Sequence, residues 1–343
     1  MDNIPSLLGS DIDDLPLLEP SQGYRKQQLA DWLYSRGAAS FEQMTNLPKV
    51  WRRQLAASYR ISPFVAVERF PSSDASVRYL FTLSDDMQTE AVYMPYPKRK
   101  TVCISSMVGC PAGCAFCATG ALGFGRRLTR AEIIGQLLAV AWGECLQPPE
   151  IRNVVLMGMG EALLNYHNAL AAIRTLMDAR ALDLSPRRIT LSTVGLPERI
   201  RRLAEEGIPL VLAVSLHAPD DETRRRIIPT AHAYPIAEIL AALGDWQAAG
   251  GRRVTIEYTL LRGINDHRWQ AELLAEKLKG IRSHVNLIPF NPWRASGFVA
   301  STPSATADFR QLLEAAGLSV SLRRSRGRDA GGACGQLALN RSC

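Results

Sequence analysis

From Thr101 onward the chain alternates short apolar runs with longer amphipathic stretches. The runs read TVCISS, NVVLMGMG, RITLSTVG, LVLAVSLHA, RVTIEYTLL and HVNLIPFN, and the stretches between them include TRAEIIGQLLAVAWGEC, where Thr129 and Glu132 form a capping-box pattern. Apolar runs separated by helix-length segments predict parallel strands joined by crossover helices, because a tight turn cannot join a parallel pair. About six such units predict an α/β fold, an incomplete (β/α)6 barrel rather than a closed eightfold one. A last helix around Ala305 to Ala316 and a strand around Leu318 to Arg323 lead into the tail GRDAGGACGQLALN.

Before Thr101 the texture differs. Leu29, Trp32 and Leu33 share one helical face and Trp51, Leu55 and Tyr59 another, and Gly37 after SR reads as a helix end. The β-rich runs FVAVERF, VRYLFTL and EAVYM follow. Residues 1–20 read as a poorly ordered tail or a marginal helix. The pattern divides the chain into a helical module over 1–61, a β-rich extension over 62–100, the partial barrel over 101–322 and a tail over 323–343.

The chain has 343 residues, 47% of them hydrophobic, enough for a sizeable buried core. Its first residues lack the basic start and apolar centre of a signal peptide, and no stretch approaches the roughly 20 apolar residues of a membrane span. Seven cysteines in such a chain point to reduced thiols in the cytoplasm rather than to a disulfide scaffold. The net charge of +7 is clustered at Lys98–Lys100, Arg126–Arg127, Arg187–Arg188, Arg224–Arg226 and Arg323–Arg328. A polyanion such as RNA would explain the clusters, whereas solvated helix faces would do so for Arg224–Arg226.

The polar motifs follow the carboxyl ends of the predicted strands, the rim where barrel sites are built. Among them VGCPAGCAFCATG sets Cys110, Cys114 and Cys117 at the spacing Cys-x3-Cys-x2-Cys. Structural zinc takes four protein ligands, and the nearest downstream histidine, His167, lies beyond a predicted helix. Three thiolates suit a cubane [4Fe-4S] cluster that keeps one iron open. With Phe116 before the last cysteine, the spacing resembles that of radical S-adenosylmethionine (SAM) enzymes, in which the amino and carboxylate groups of SAM take the open iron. That resemblance gives roles to the rest of the rim. Gly158 and Gly160 allow close approach, Glu161 accepts from the SAM ammonium, Ser192, Ser215 and Asn291 bond its ribose or carboxylate, and the backbone at Leu216 and His217 meets its adenine.

CISSMVGCPAGCAFCATG, GMGEALLN, RRITLSTVGL, SLHAPDDETR, TIEYTLLRGIND, VNLIPFNP and ACGQL together resemble the radical SAM adenosine methyltransferases of ribosomal RNA, closest to the RlmN family, with the carbon-8 enzyme Cfr as sister. The resemblance runs from about Tyr24 to Leu337 and implies methylation of adenine carbon-2 in 23S rRNA, and in tRNA, with two SAM per turnover. It implies that Cys334 is first methylated, that a radical made from a second SAM activates this methyl group, and that the resulting carbon radical joins the base. The thiol of Cys103 then releases the product by forming a disulfide, and Glu90, thirteen residues earlier, matches a proposed proton acceptor, a role Cys103 could also fill. An electron donor such as flavodoxin, a monomeric state and no membrane partner complete the expectation. Cys145 reads as helix packing and Cys343 as an exposed terminal residue.

Three stretches depart from the family: GRDAGGAC before Cys334, IPTAHAYP without the Asn-Arg pair, and GMGEAL, which also occurs in the carbon-8 group. RRSRG favours carbon-2. A carbon-8 methyltransferase is one alternative, and a non-catalytic metal-bearing RNA-binding protein is another. The second gives no use to Cys103 and Cys334.

Overall fold

The computed structural model describes residues 4–19, 23–293 and 296–339. Helices α1 (Tyr24–Ala30) and α2 (Lys49–Ser58) form the N-terminal module, with Leu29, Leu33, Trp51 and Leu55 buried along the expected faces. The segment ahead of them is not a loose tail. Leu7 and Leu8 are fully buried in a 3-10 turn, Leu7 N–H donates to Arg60 O at 3.0 Å, Ser6 Oγ donates to Ile61 O at 2.6 Å, and Asp11 pairs with Arg130 at 2.5 Å. Two short turns supply no helical period, so the sequence pattern did not reveal the burial.

Strands β1 (Ala66–Pro71), β2 (Val77–Thr82) and β3 (Gln88–Tyr96) run antiparallel and pair on into β4 (Arg99–Cys103), the first barrel strand. A small antiparallel pair, β5 (Met107–Gly109) and β6 (Phe124–Arg127), then frames the cysteine loop and the one-turn helix α3 (Ala118–Ala121). Parallel strands β7 (Ile151–Leu156), β8 (Ile189–Thr193), β9 (Val211–Ser215), β10 (Val254–Leu260) and β11 (Ser283–Pro289) continue from β4, and β12 (Ser319–Leu322) adds outside β11. The connections carry α4 (Arg130–Gly143), α5 (Tyr166–Met177), α6 (Pro197–Glu205), α7 (Asp221–Ile227), α8 (Ile236–Ala248), α9 (Arg268–Lys277) and α10 (Pro303–Ala315). This is the expected partial barrel, (β/α)6, within one ten-stranded sheet. Thr129 caps α4 as its sequence predicts, with the Thr129 N–H donating to Glu132 Oε2 at 2.7 Å.

Alternation along the strands sets the two faces. Ile189 and Leu191 of β8, Ile256 and Tyr258 of β10, and Val285 and Leu287 of β11 are buried in the main apolar core. Ser192, Ser215 and Glu257 line an interior cavity, and the register puts Ser215 beside Glu257 and Glu257 beside Asn286. Cys145 departs from its expected place: it is exposed after α4 at φ +52° rather than packed in the helix. Cys343 lies outside the described residues.

Candidate active site

The cysteine loop is fixed by backbone bonds before any metal is considered. Cys110 N–H donates to Gly123 O at 2.8 Å, Ala115 N–H to Ile227 O at 2.9 Å, and Cys117 N–H to Cys114 O at 3.0 Å. α3 starts directly after Cys117, and Gly120 within it packs on the backbone of Cys114. A Cβ there would lie 2.7 Å from Cys114 O and 2.9 Å from Cys114 N. Burial pushes the Cys110 thiol up to about 12 and the Cys114 thiol well up, and the neighbouring thiolates add to both shifts. Thiols so placed ionise at neutral pH only when a cation offsets their burial and mutual repulsion.

All three cysteines line one cavity. Among the described residues, no three His, Cys, Asp or Glu side chains close around a single-ion position. Three thiols from one loop suit a cubane cluster, which takes one thiolate per iron and leaves one iron open. The wall beyond the cysteines also has the character of a ligand site. Gly160 holds φ +103°, and a Cβ there would lie 2.6 Å from Met107 Cβ, so only glycine lets the chain turn this close to the loop. Asn291 donates from Nδ2 to Cys334 O at 3.1 Å, while its buried Oδ1 has no partner. A buried acceptor left unmade costs about 1–3 kcal/mol, which a bound donor would recover. These residues fit a [4Fe-4S] cluster with SAM beside it.

Glu161 lies in this wall, fully surrounded by protein. It accepts from Leu163 N–H at 3.0 Å and Val194 N–H at 2.7 Å, yet burial still pushes its carboxyl up to about 7. A ligand ammonium would pull the carboxyl back down. His217 sits in the left-handed region at φ +57°, and burial, with a smaller push from Arg224, lowers it to about 3. Its Nδ1 accepts from Thr259 N–H at 2.9 Å, so the neutral ring carries its proton on Nε2. The ring meets Phe116 edge-on at 4.9 Å. Ser192, Ser215, His217 and Asn291 all line the cavity. Leu216 does not: its side chain is buried in the core, its N–H donates to Glu257 O at 3.2 Å, and its C=O accepts from Arg224 Nε at 3.2 Å.

Two further thiols open on the same cavity, Cys103 at the end of β4 and Cys334 in the tail. Burial pushes Cys103 up to about 12. Cys334 opens to the cavity but is ringed by protein, which raises its thiol too, with Arg323 opposing the shift. The glycine-rich tail is tied down rather than loose. Ala118 N–H donates to Gly335 O at 2.8 Å and Thr119 Oγ1 donates to Leu337 O at 2.8 Å, so the short helix after the cysteine loop also holds the tail. Glu90 stands behind the tail, fully buried against Arg78, and is not part of the cavity lining.

The basic clusters divide by environment. Arg224 is buried and donates to the carbonyls of Leu216, Tyr234 and Val194, so it locks loops together instead of facing solvent, whereas Arg225 and Arg226 are exposed. Arg126 is held by Glu132 and Asp85. Arg324 and Arg326 line the cavity mouth with Tyr96, and the guanidinium groups of Arg326 and Arg99 lie 4.6 and 4.8 Å from the centre of the Tyr96 ring. The sequence reading missed Glu257, Arg78 and the buried role of Arg224. Glu257 and Arg78 are charged residues inside β-rich runs, which was the available signal.

Comparison with known proteins accords with this geometry. Residues 104–274 match the family model for the radical SAM superfamily, and residues 20–61 match that for the ribosomal RNA large subunit methyltransferase N-terminal domain. A protein of Thermus thermophilus named "Probable dual-specificity RNA methyltransferase RlmN" is 61% identical over 96% of this chain and 92% of its own. A protein of the same name from Deinococcus deserti is 59% identical over 96% of each chain. The crystal structure of a radical SAM methyltransferase from Sphaerobacter thermophilus superposes with a TM-score of 0.92 at 39% identity, covering 98% of this chain and 100% of its own. The chain belongs to the RlmN family of radical SAM RNA methyltransferases.

Proposed function

We propose that this protein methylates carbon-2 of an adenosine in 23S rRNA, and also in tRNA, with Cys334 as methyl carrier and Cys103 as the thiol that releases the product. The observation that carries the reading is that Cys103 and Cys334 line the same cavity as Cys110, Cys114 and Cys117, which leaves two thiols beyond a three-thiolate cluster. RRSRG at Arg323–Gly327 and the RlmN-named relatives support carbon-2 over carbon-8.

Cys110, Cys114 and Cys117 hold the cluster, and Glu161, Ser192, Ser215, His217 and Asn291 hold SAM. Together these groups supply the one-electron chemistry that an unactivated methyl group demands. Two SAM serve each turnover, one as methyl donor. Cys334 would carry the methyl group as a thioether; with the cluster and SAM supplying a radical that takes one hydrogen atom and taking back the surplus electron, that carbon would bond to the base. Of the two proton acceptors the sequence offers, Cys103 is the one that lines the cavity. It then attacks the Cys334 sulfur: the bond from that sulfur to the product carbon breaks, the carbon takes a proton to become the methyl group, and a disulfide remains for reduction. Arg324 and Arg326 at the mouth meet RNA phosphates while the target base leaves its stack. An electron donor such as flavodoxin, a monomeric state and the cytoplasm belong to this reading. Among the described residues, no helix is long and apolar enough to cross a membrane.

The test is anaerobic turnover with 23S rRNA fragments and tRNA in parallel, followed by nucleoside mass spectrometry. 2-Methyladenosine is expected. 8-Methyladenosine overturns the position, and a Cys334→Ala variant that methylates normally overturns the carrier.

A further inference from the structure

The antiparallel strands ahead of the barrel grip the tail on both sides of Cys334. Arg78 on β2 and Glu90 on β3 are diagonal neighbours on one face of the ladder and form an ion pair whose side chains are 2% and 0% exposed. Arg78 Nε donates to Ala330 O at 2.6 Å, four residues before Cys334, and Glu90 Oε2 accepts from Leu339 N–H at 3.2 Å, five residues after it. Gly332 rests on the same pair of strands, where a Cβ would lie 3.5 Å from both Arg78 Cβ and Val92 Cγ1. The β3 end of this arrangement is fastened to the barrel rim. Ser105 Oγ donates to Glu90 O at 2.5 Å and accepts from Met159 N–H at 2.7 Å, beside Gly158 and Gly160.

We propose that Arg78 and Glu90 are positioning residues, a two-point clamp that sets how far the Cys334 loop reaches into the cavity, and that Glu90 serves through this loop rather than at the base. The inference rests on the reading of Cys334 as methyl carrier given above. A buried ion pair seldom stabilises a fold beyond what an apolar pair of similar volume would, because both charges lose their water. This pair commits further hydrogen bonds to the backbone of the tail, where they fix position. Removing Arg78 leaves the Glu90 carboxylate buried without its counter-charge and frees the carbonyl of Ala330. Arg78 bonds Glu90 Oε1 and Leu339 N–H bonds Oε2, so replacing Glu90 by glutamine leaves one acceptor oxygen for two donors and takes the counter-charge from Arg78. A clamp therefore predicts that the glutamine variant loosens the tail before any RNA is bound, whereas a proton acceptor predicts an undisturbed tail and a stalled RNA adduct.

The experiment compares Arg78→Met, Arg78→Lys and Glu90→Gln by two readouts. The first is amide hydrogen exchange over residues 330–339 in the iron-free protein, which needs no turnover. The second is methylation of Cys334 with SAM and reductant but no RNA in the cluster-loaded protein, read by peptide mass spectrometry. The clamp predicts that Arg78→Met speeds exchange and slows Cys334 methylation by about tenfold or more, the scale of a lost charge-assisted hydrogen bond. Arg78→Lys falls between, since one ammonium does not span both partners. Glu90→Gln likewise speeds exchange and slows RNA-free methylation of Cys334, and no RNA-linked protein accumulates beyond the wild-type level when substrate is added. If Arg78→Met fails to fold, as a thermal melt reports, Arg78→Lys decides. Wild-type exchange and methylation in the folded Arg78 variants overturn the clamp. Normal Cys334 methylation with trapped RNA in Glu90→Gln overturns the role given to Glu90. If exchange responds to Arg78 while wild type never methylates Cys334, the clamp stands and the carrier reading fails.

Discussion

Gly120→Ala tests whether the cysteine loop is shaped as its packing indicates. In an open helix this substitution gains about 1 kcal/mol, because alanine loses less backbone freedom on folding than glycine. Here the new methyl group would meet Cys114 O at 2.7 Å and Cys114 N at 2.9 Å, against ordinary contacts that begin near 3.4 Å. The Cys114 backbone must therefore retreat by about 0.5–0.7 Å, and overpacking of this kind costs about 1–3 kcal/mol. The helix gain is cancelled or reversed. The displaced residue is one of the three proposed cluster ligands, and binding constellations tolerate only about 0.5 Å of error. After anaerobic reconstitution, iron and sulfide per chain should fall to less than about half of wild type, with no rise in the melting temperature of the iron-free protein. Full iron content together with a raised melting temperature would refute the reasoning.

Other outcomes follow from the same structure. Since the Cys103 thiol is pushed up to about 12, its thiolate is scarce at neutral pH and grows about tenfold for each pH unit, so product release should quicken steadily from pH 7 to 9 and the RNA-linked intermediate should thin out, as quenched gels would show. A release rate that is flat over that range contradicts the placement of Cys103. Leu8 is fully buried, so Leu8→Ala should cost about 2–5 kcal/mol in denaturant unfolding, and a loss below about 0.5 kcal/mol would mean that the first turns do not pack as described. Arg324, exposed at the cavity mouth, should matter for RNA alone: Arg324→Met should weaken RNA binding, flatten its salt dependence by about one unit of slope, and leave RNA-free methylation of Cys334 unchanged. An unaltered salt slope would remove this residue from the RNA contact.

Much of the fold is legible because strands buried on one side by helices read as apolar runs, and the six barrel runs each coincide with a strand. The cysteine spacing likewise shows itself, since neither bland packing nor a four-ligand zinc site explains three thiols in so short a loop. What escaped notice depends on partners far along the chain. Arg224 resembles its exposed neighbours Arg225 and Arg226 in sequence, and only the carbonyls of Leu216, Val194 and Tyr234 make it a buried tie. Glu90 was singled out by the family resemblance, yet the strand pairing that turns it toward Arg78 and the tail is nowhere in that motif. Leu7 and Leu8 lie in a 3-10 turn too short to show a period, so their burial is visible only once α4 is in place.

The ties between the tail and the antiparallel strands have a consequence for biosynthesis. Leu339 bonds Glu90 and Ala330 bonds Arg78, across sequence separations of 249 and 252 residues. During synthesis, therefore, the cysteine loop and most of the barrel emerge well before the segment that covers them. Translation of the last strand and tail then brings Cys334 over the opening. The order of the chain thus separates two events in time, emergence of the cysteine loop first and arrival of the Cys334 segment that covers it afterwards.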